Sequence, residues 1–237
     1  MSDITSFGDK NIFFMRSFVA ISVLDSNHDL GECINRLLKS TVQKDIYVYD
    51  LTMTGLDSEL KRFIKSYNNY RVFLVRVKRA SSCKNRNERL NLGMLTSLMA
   101  FNRYDKYSSY IHITQGMMID NKDLNILIDN SKLFHGLSPV IESYNGIEVL
   151  KAIYDRYGFE IISLEDGSIH FITGQIEESF ALNPKCFALS RLYANKILKF
   201  TYSKEDPARY LNKLLIETNT GVTSKVDTNL FIHEHLY

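Results

Sequence analysis

The chain has 237 residues, 45% of them hydrophobic and 24% charged, a composition that excludes disorder and is ample for one large α/β domain with a substantial core. Its 29 Lys and Arg against 27 Asp and Glu leave a formal charge of +2, too small by itself to mark a polyanion-binding protein. Three cysteines, Cys33, Cys83 and Cys186, stand far apart with no CxxC or Cys/His spacing, which argues against a disulfide framework or structural zinc and for a reducing, cytoplasmic compartment.

The N-terminal apolar run Phe13–Leu24 is interrupted by Arg16 and Ser17, so it reads as neither a signal peptide nor a membrane span. Richness in Asn, Lys, Ile and Tyr, with three prolines, points to an AT-rich genome such as that of a phage or a low-GC bacterium. SFVAISVL (17–24) is apolar on both faces, as a buried parallel strand is. LGECINRLLKS (30–40) follows with Leu30, Ile34, Leu37 and Leu38 on one helical stripe. DIYVYDL (45–51) is a second strand, and LDSELKRFIKSY (56–67) a helix with Leu60, Phe63 and Ile64 inward.

The alternation continues with strand RVFLVRV (71–77), helix RNERLNLGMLTSLMAF (86–101) and strand YIHIT (110–114). Asn121 is placed to cap a helix over 122–134, and HGLSPVIES (135–143) is a further strand. Four β-α units and a strand predict a mostly parallel sheet with helices on both faces, and ligands beyond the carboxyl ends of its strands. After Gly146 the rhythm changes. GIEVLKAIYDRYG (146–158) is expected as a helix, and FEIISLEDGSIHFITG (159–174) as a hairpin turning at Asp166-Gly167. CFALS (186–190) reads as a strand, RLYANKILKF (191–200) and EDPARYLNKLLIET (205–218) as helices, and TNLFIHEHLY (228–237) as a closing strand. The expected architecture is a single domain with a mixed C-terminal part.

At the strand ends stand Leu24-Asp25, Asp50 and Thr114-Gln115-Gly116. An Asp there can accept hydrogen bonds from a nucleobase or ribose, or it can simply cap a turn. Between strands three and four lie Arg71, Arg76, Lys78, Arg79, Lys84, Arg86 and Arg89 with only Glu88 opposing. Such charge suits a diphosphate, a nucleic-acid backbone or a solvated helix face. Asp206 precedes Pro207, so it is the expected N-cap of the following helix. His233 and His235 read as surface residues of the closing strand.

The ordered set of motifs resembles the family-2 inverting glycosyltransferases of GT-A fold over nearly the whole length. FVAISVLDSNHDLGECINRLLKST (18–41), DIYVYDLTMTG (45–55), ERLNLGM (88–94), YIHITQGMMIDNKDLNILI (110–128), KEDPARYLNKLL (204–215) and FIHEHLY (231–237) carry it. The resemblance implies a GT-A-like domain with a nucleotide-sugar-binding half over 1–145 and an acceptor-binding half over 146–237. It also implies a nucleoside-diphosphate sugar, a UDP-sugar above others, as donor, and a glycan or a modified DNA base as acceptor. Leu24, Asp25 and Asp50 would hold the nucleoside, with Arg89 and Asn91 under the donor. Asp206 would be the general base, and Glu205 would position the acceptor.

One departure matters. Where the family carries Asp-x-Asp for a divalent ion, this chain has Thr114, Gln115 and Gly116, none an anionic oxygen ligand. Three explanations follow in order: catalysis without metal, with Arg89 or Lys84 offsetting the diphosphate; weak binding of Mn²⁺ or Mg²⁺ through Asp120 or His233; or a non-catalytic nucleotide-sugar-binding module. A nucleotidyltransferase of the same sheet is disfavoured, because LDSNHDLG (24–31) lacks a Gly-rich basic loop.

Overall fold

The structure is a computed structural model that describes residues 16–25, 29–133, 136–143, 146–155, 158–164, 181–191, 194, 204–217 and 225–234. Its first strand, β1 (Arg16–Val23), alternates its side chains between two cores. Phe18 and Ala20 enter one, while Val19, Ile21 and Val23 enter the other. A strand buried on both faces needs cover on both, and the chain supplies it. Helices α1 (Asp29–Leu38), α2 (Ser58–Ser66) and α4 (Asn121–Leu133) lie over the Val19 face. Helix α3 (Arg86–Asn102) and helix α5 (Pro207–Glu217) lie over the Phe18 face.

Parallel pairing joins β1 to β2 (Lys44–Asp50) and to β4 (Tyr107–Thr114), and β2 to β3 (Val72–Arg76). Beyond β4 the sheet becomes mixed. The short β5 (Met117–Met118) is followed by β6 (Gly136–Ser143), β7 (Gly146–Asp155), β8 (Gly158–Leu164), β9 (Cys186–Ser190) and β10 (Lys225–Glu234). The order along the sheet is β3-β2-β1-β4-β9-β6-β10-β5, with β7 pairing β6 and β8. Strand β9 runs antiparallel to both β4 and β6, whereas β10 is parallel to β6. Segments from the end of the chain are thus inserted beside the parallel strands.

One sequence expectation is overturned outright. Residues 146–158 were expected as a helix, yet Gly146–Asp155 is strand. The segment pairs antiparallel on both sides, Ile141 opposite Glu148 and Tyr154 opposite Phe159. The partners are the strands on either side in sequence, and their pairing overrides the helical apolar spacing of 146–158. Strands β7 and β8 form an antiparallel pair, and the turn expected at Asp166-Gly167 lies outside the described residues, as does most of 191–200. The cap of α4 also moves by one position, because Asp120 Oδ1 accepts the Asp123 N–H at 2.9 Å. The helix before β10 is as expected, with Asp206 at its start.

All three cysteines are free and buried, and burial pushes the Cys33 thiol up to about 12. Among the described residues no helix is long and apolar enough to cross a membrane.

The amino ends of the strands converge on one carboxylate. The Asp45 side chain is fully covered and accepts from Arg16 Nε at 2.8 Å, Lys106 Nζ at 3.0 Å and Tyr107 Oη at 2.6 Å. Arg71 adds Nη2 at 2.8 Å, from a left-handed backbone with φ of 65° that costs a non-glycine residue about 1 kcal/mol. Burial by itself would raise the Asp45 pKa. The hydrogen bonds from Arg71, Tyr107 and Lys106 outweigh it and hold the carboxyl well below the usual carboxylate range. Asp45→Asn is therefore expected to cost about 3–5 kcal/mol of stability at neutral pH in a urea titration, since three cations lose their anion. A depressed folded pKa means the wild type keeps this stabilisation above the unfolded value of about 4 and loses it as pH falls further. The variant's stability should fall less steeply with acid over that range.

Candidate active site

In register, Val23 of β1 faces Asp50 of β2, Asp50 faces Arg76 of β3, and Ser22 faces Thr114 of β4. The carboxyl ends of the four parallel strands are therefore level, and the predicted residues Leu24, Asp25, Asp50 and 114–116 lie along one rim. Their side chains do different things there.

Leu24 is held from both sides. Its N–H goes to Gln115 Oε1 at 2.8 Å, and its carbonyl accepts from Arg89 Nη1 at 2.8 Å. The same Gln115 oxygen takes the Asp25 N–H at 3.2 Å, while the Gln115 N–H returns to the Ser22 carbonyl at 3.0 Å. Gly116 follows with φ of 93°, a left-handed turn that glycine enters without strain. Arg89 also donates to the Leu51 carbonyl at 3.3 Å, and its side chain is only 11% exposed. It braces backbone under the rim. The Asp25 carboxylate stands in the open, 3.7 Å from Arg86 and 3.9 Å from Arg89.

Asp50 is buried and engaged on both oxygens. Oδ1 accepts from Thr52 Oγ1 at 2.6 Å and Thr52 N–H at 3.2 Å and forms an ion pair with Arg76 Nη1 at 2.8 Å, and Oδ2 accepts from Leu56 N–H at 3.1 Å. It organises the turn after β2, the capping alternative weighed from the sequence. Asn91, buried on α3, donates Nδ2 to the Glu205 carbonyl at 2.9 Å and so ties α3 to the turn that carries Asp206. Glu205 pairs with Lys213 at 3.3 Å. Tyr210, on the first turn of α5, has its phenol pushed up to about 12 by burial and by Glu205.

Asp206 caps α5. Its Oδ1 alone accepts the N–H groups of Ala208 at 3.0 Å and Arg209 at 3.1 Å, which leaves Oδ2 outside the cap. The residue is exposed and faces a cavity of about 400 Å³. Leu24 and Thr114, at the ends of β1 and β4, line the same cavity, as do Arg86, Lys185 and Glu234. The sequence reading missed Lys185 and Glu234, which meet through a 2.8 Å ion pair between Nζ and Oε2. No spacing signal links them, for only the insertion of β9 brings Lys185 beside Thr114, whose N–H donates to the Lys185 carbonyl at 2.8 Å.

The rim does not fit a divalent ion held as the GT-A resemblance implies. Gln115 Oε1, the one side-chain carbonyl of the turn, already takes two N–H groups, and Gly116 offers no side chain. Asp120 borders a separate groove with Glu32 and Arg36, while the His233 side chain and all of His235 lie outside the described residues. Lys84 is not among the residues lining the cavity. Among the described residues no three His, Cys, Asp or Glu side chains gather as a metal site. His112, two residues before Thr114, is fully buried and its pKa is pushed down to about 3 by desolvation, so it stands neutral beside Phe187 in the core.

No family model matches the chain, and no curated protein matches it. Its fold is shared by solved structures at low identity. A197 from STIV is 9% identical with a TM-score of 0.52, over 93% of this chain and 86% of that one. The 4-diphosphocytidyl-2C-methyl-D-erythritol synthase of Anaerococcus prevotii is 11% identical with a TM-score of 0.50, over 93% and 90%. TarS 1–349 of S. aureus is 13% identical with a TM-score of 0.55, and the match spans 92% of this chain and 60% of that one. The fold is α/β and GT-A-like, with a mixed sheet flanked by helices.

The Gln115 clamp is open to a direct test. Gln115→Leu leaves the N–H groups of Leu24 and Asp25 without their acceptor and is expected to cost about 1–3 kcal/mol in urea denaturation. Gln115→Glu, which keeps an acceptor at the same reach, should retain most of that stability.

Proposed function

We propose that the protein is an inverting glycosyltransferase, using a nucleoside-diphosphate sugar of the UDP class and a hydroxyl on a glycan or a modified nucleobase. The observation that carries this reading is the position of Asp206, which faces the cavity bounded by the ends of β1 and β4 with one carboxylate oxygen outside the helix cap. A GT-A-like sheet supports it, since ligands of such sheets bind beyond the carboxyl ends of the strands.

In the proposed step Asp206 Oδ2 takes the proton of the acceptor hydroxyl as that oxygen attacks the anomeric carbon. The bond from this carbon to the diphosphate oxygen breaks, and its electron pair leaves with the nucleoside diphosphate. A carboxylate suits the task because it need only accept a proton that becomes acidic as the new bond forms. Leu24 and the exposed Asp25 are the groups proposed to meet the nucleoside. Arg89, Gln115 and Asp50 act through the backbone they hold, and Asn91 through the carbonyl of Glu205. A non-catalytic nucleotide-sugar-binding module is the second reading, favoured by the carboxylate-free turn at 114–116.

Thermal unfolding of the full chain with UDP-, GDP-, CMP- and TDP-sugars separates these readings, because a ligand bound to the folded state raises the melting temperature by mass action. A UDP-sugar is expected to raise it by several degrees. Asp206→Asn should cut turnover about 10²- to 10⁴-fold while leaving melting temperature and donor binding near wild type, because Asn caps a helix about as well as Asp. Binding without turnover in the wild type would establish the module, and the absence of any stabilising nucleotide sugar would sink both.

A further inference from the structure

Two cations, Arg86 and Lys185, stand on the wall of the cavity that Asp206 faces. The Arg86 side chain is 60% exposed, and its nearest acid, Asp25, is a long 3.7 Å away and equally open to water. Lys185 is fixed more tightly. Its carbonyl takes the Thr114 N–H at 2.8 Å, which locks it beside the end of β4, and its ammonium pairs with Glu234 at 2.8 Å. Exposure orders this pair, because Lys185 is 32% exposed and Glu234 only 6%. Both residues line the cavity, and the ammonium is the more exposed member of the pair.

Backbone donors at the start of α5, which also lines the cavity, are already taken. Pro207 has no N–H, and those of Ala208 and Arg209 go to Asp206. An anion entering the cavity on that side must be held by side chains.

We propose that Arg86 and Lys185 form a diphosphate subsite, in which two side-chain cations meet the leaving group in place of a divalent ion. The proposal deepens the glycosyltransferase reading and rests on it for the identity of the anion. The guanidinium offers a planar fork to two phosphate oxygens, and the ammonium a compact charge beside the end of β4. Negative charge grows on the diphosphate as the bond to the sugar breaks. Cations on the cavity wall stabilise that charge more than they stabilise the intact donor. Glu234 keeps the ammonium in place and is a positioning residue.

Calorimetric titration of the full chain with inorganic pyrophosphate and with UDP, in EDTA and then with Mn²⁺, tests the subsite. Pyrophosphate is expected to bind in EDTA, with Lys185→Met and Arg86→Gln each weakening it about tenfold or more. Lys185→Arg, which keeps the charge, should recover part of the loss. Circular dichroism checks the fold, and Arg86→Gln at an exposed position decides the matter should Lys185→Met misfold. Pyrophosphate binding that requires Mn²⁺, no binding at all, or wild-type affinity in both neutral variants overturns the proposal. Cation-dependent pyrophosphate binding with no affinity for UDP or any nucleotide sugar leaves the anion subsite standing and removes the glycosyltransferase reading. UDP-sugar binding of unchanged strength in both variants does the reverse.

Discussion

The rim of this sheet depends on how one peptide is gripped. Leu24 leaves β1 with its N–H bound to the Gln115 side chain and its carbonyl bound to the Arg89 guanidinium. Those partners belong to the turn after β4 and to the first turns of α3, so three elements are registered to one another at a single residue. Without the clamp, the end of β1 would be free to fray, as unpaired strand ends do. With it, Leu24 and Thr114 both line a cavity that the start of α5 also lines. Asn91 extends the same logic, because its bond to the Glu205 carbonyl fixes the α5 turn relative to α3.

Three aspartates show how environment divides one residue type into separate roles. Asp45 is fully covered and meets three cations and a phenol, so its charge holds the amino ends of the strands together. Asp50 is equally buried, and four interactions engage both of its oxygens in the turn after β2. Asp206 is exposed, and both cap bonds fall on one oxygen. Only the last has an oxygen to offer a substrate. A buried carboxylate ringed by donors gains stability by remaining ionised and immobile, which is the opposite of what a base in a reaction requires.

The repeating β-α half was legible because its signals are local. Apolar runs of strand length, helical stripes and an N-cap Asp before Pro each act within one element, and the first four strands fall where those patterns place them. The second half was less legible for a physical reason. Residues 146–155 carry apolar spacing that suits a helix, but antiparallel pairing with the strands just before and just after them, β6 and β8, decides the matter. The site divides the same way. Alignment of strand ends brought Asp25, Asp50 and 114–116 to one rim, as alternation implies. That Asp50 is enclosed while Asp206 is open depends on neighbours such as Arg76 and Leu56, which no spacing announces. Lys185 was invisible for the same cause, since β9 enters between β4 and β6 from seventy residues further along the chain.

That late insertion bears on the electrostatics of the rim. The turn after β4 has given its side-chain carbonyl to backbone N–H groups, so it stiffens the rim and contributes no charge. Charge arrives instead from Arg86 at the start of α3, from Lys185 before β9 and from Glu234 at the end of β10, the last two drawn from the part of the chain after residue 146. Asp206 comes from that part as well. On the proposed reading, the groups that act on the reacting centre would come largely from the late segments, while the early β-α units supply a rigid shelf for the nucleoside. The shelf can then be tightly hydrogen-bonded, with Asp25 and Arg86 as its exposed charges, and the late charges can be added at the cavity without loosening it.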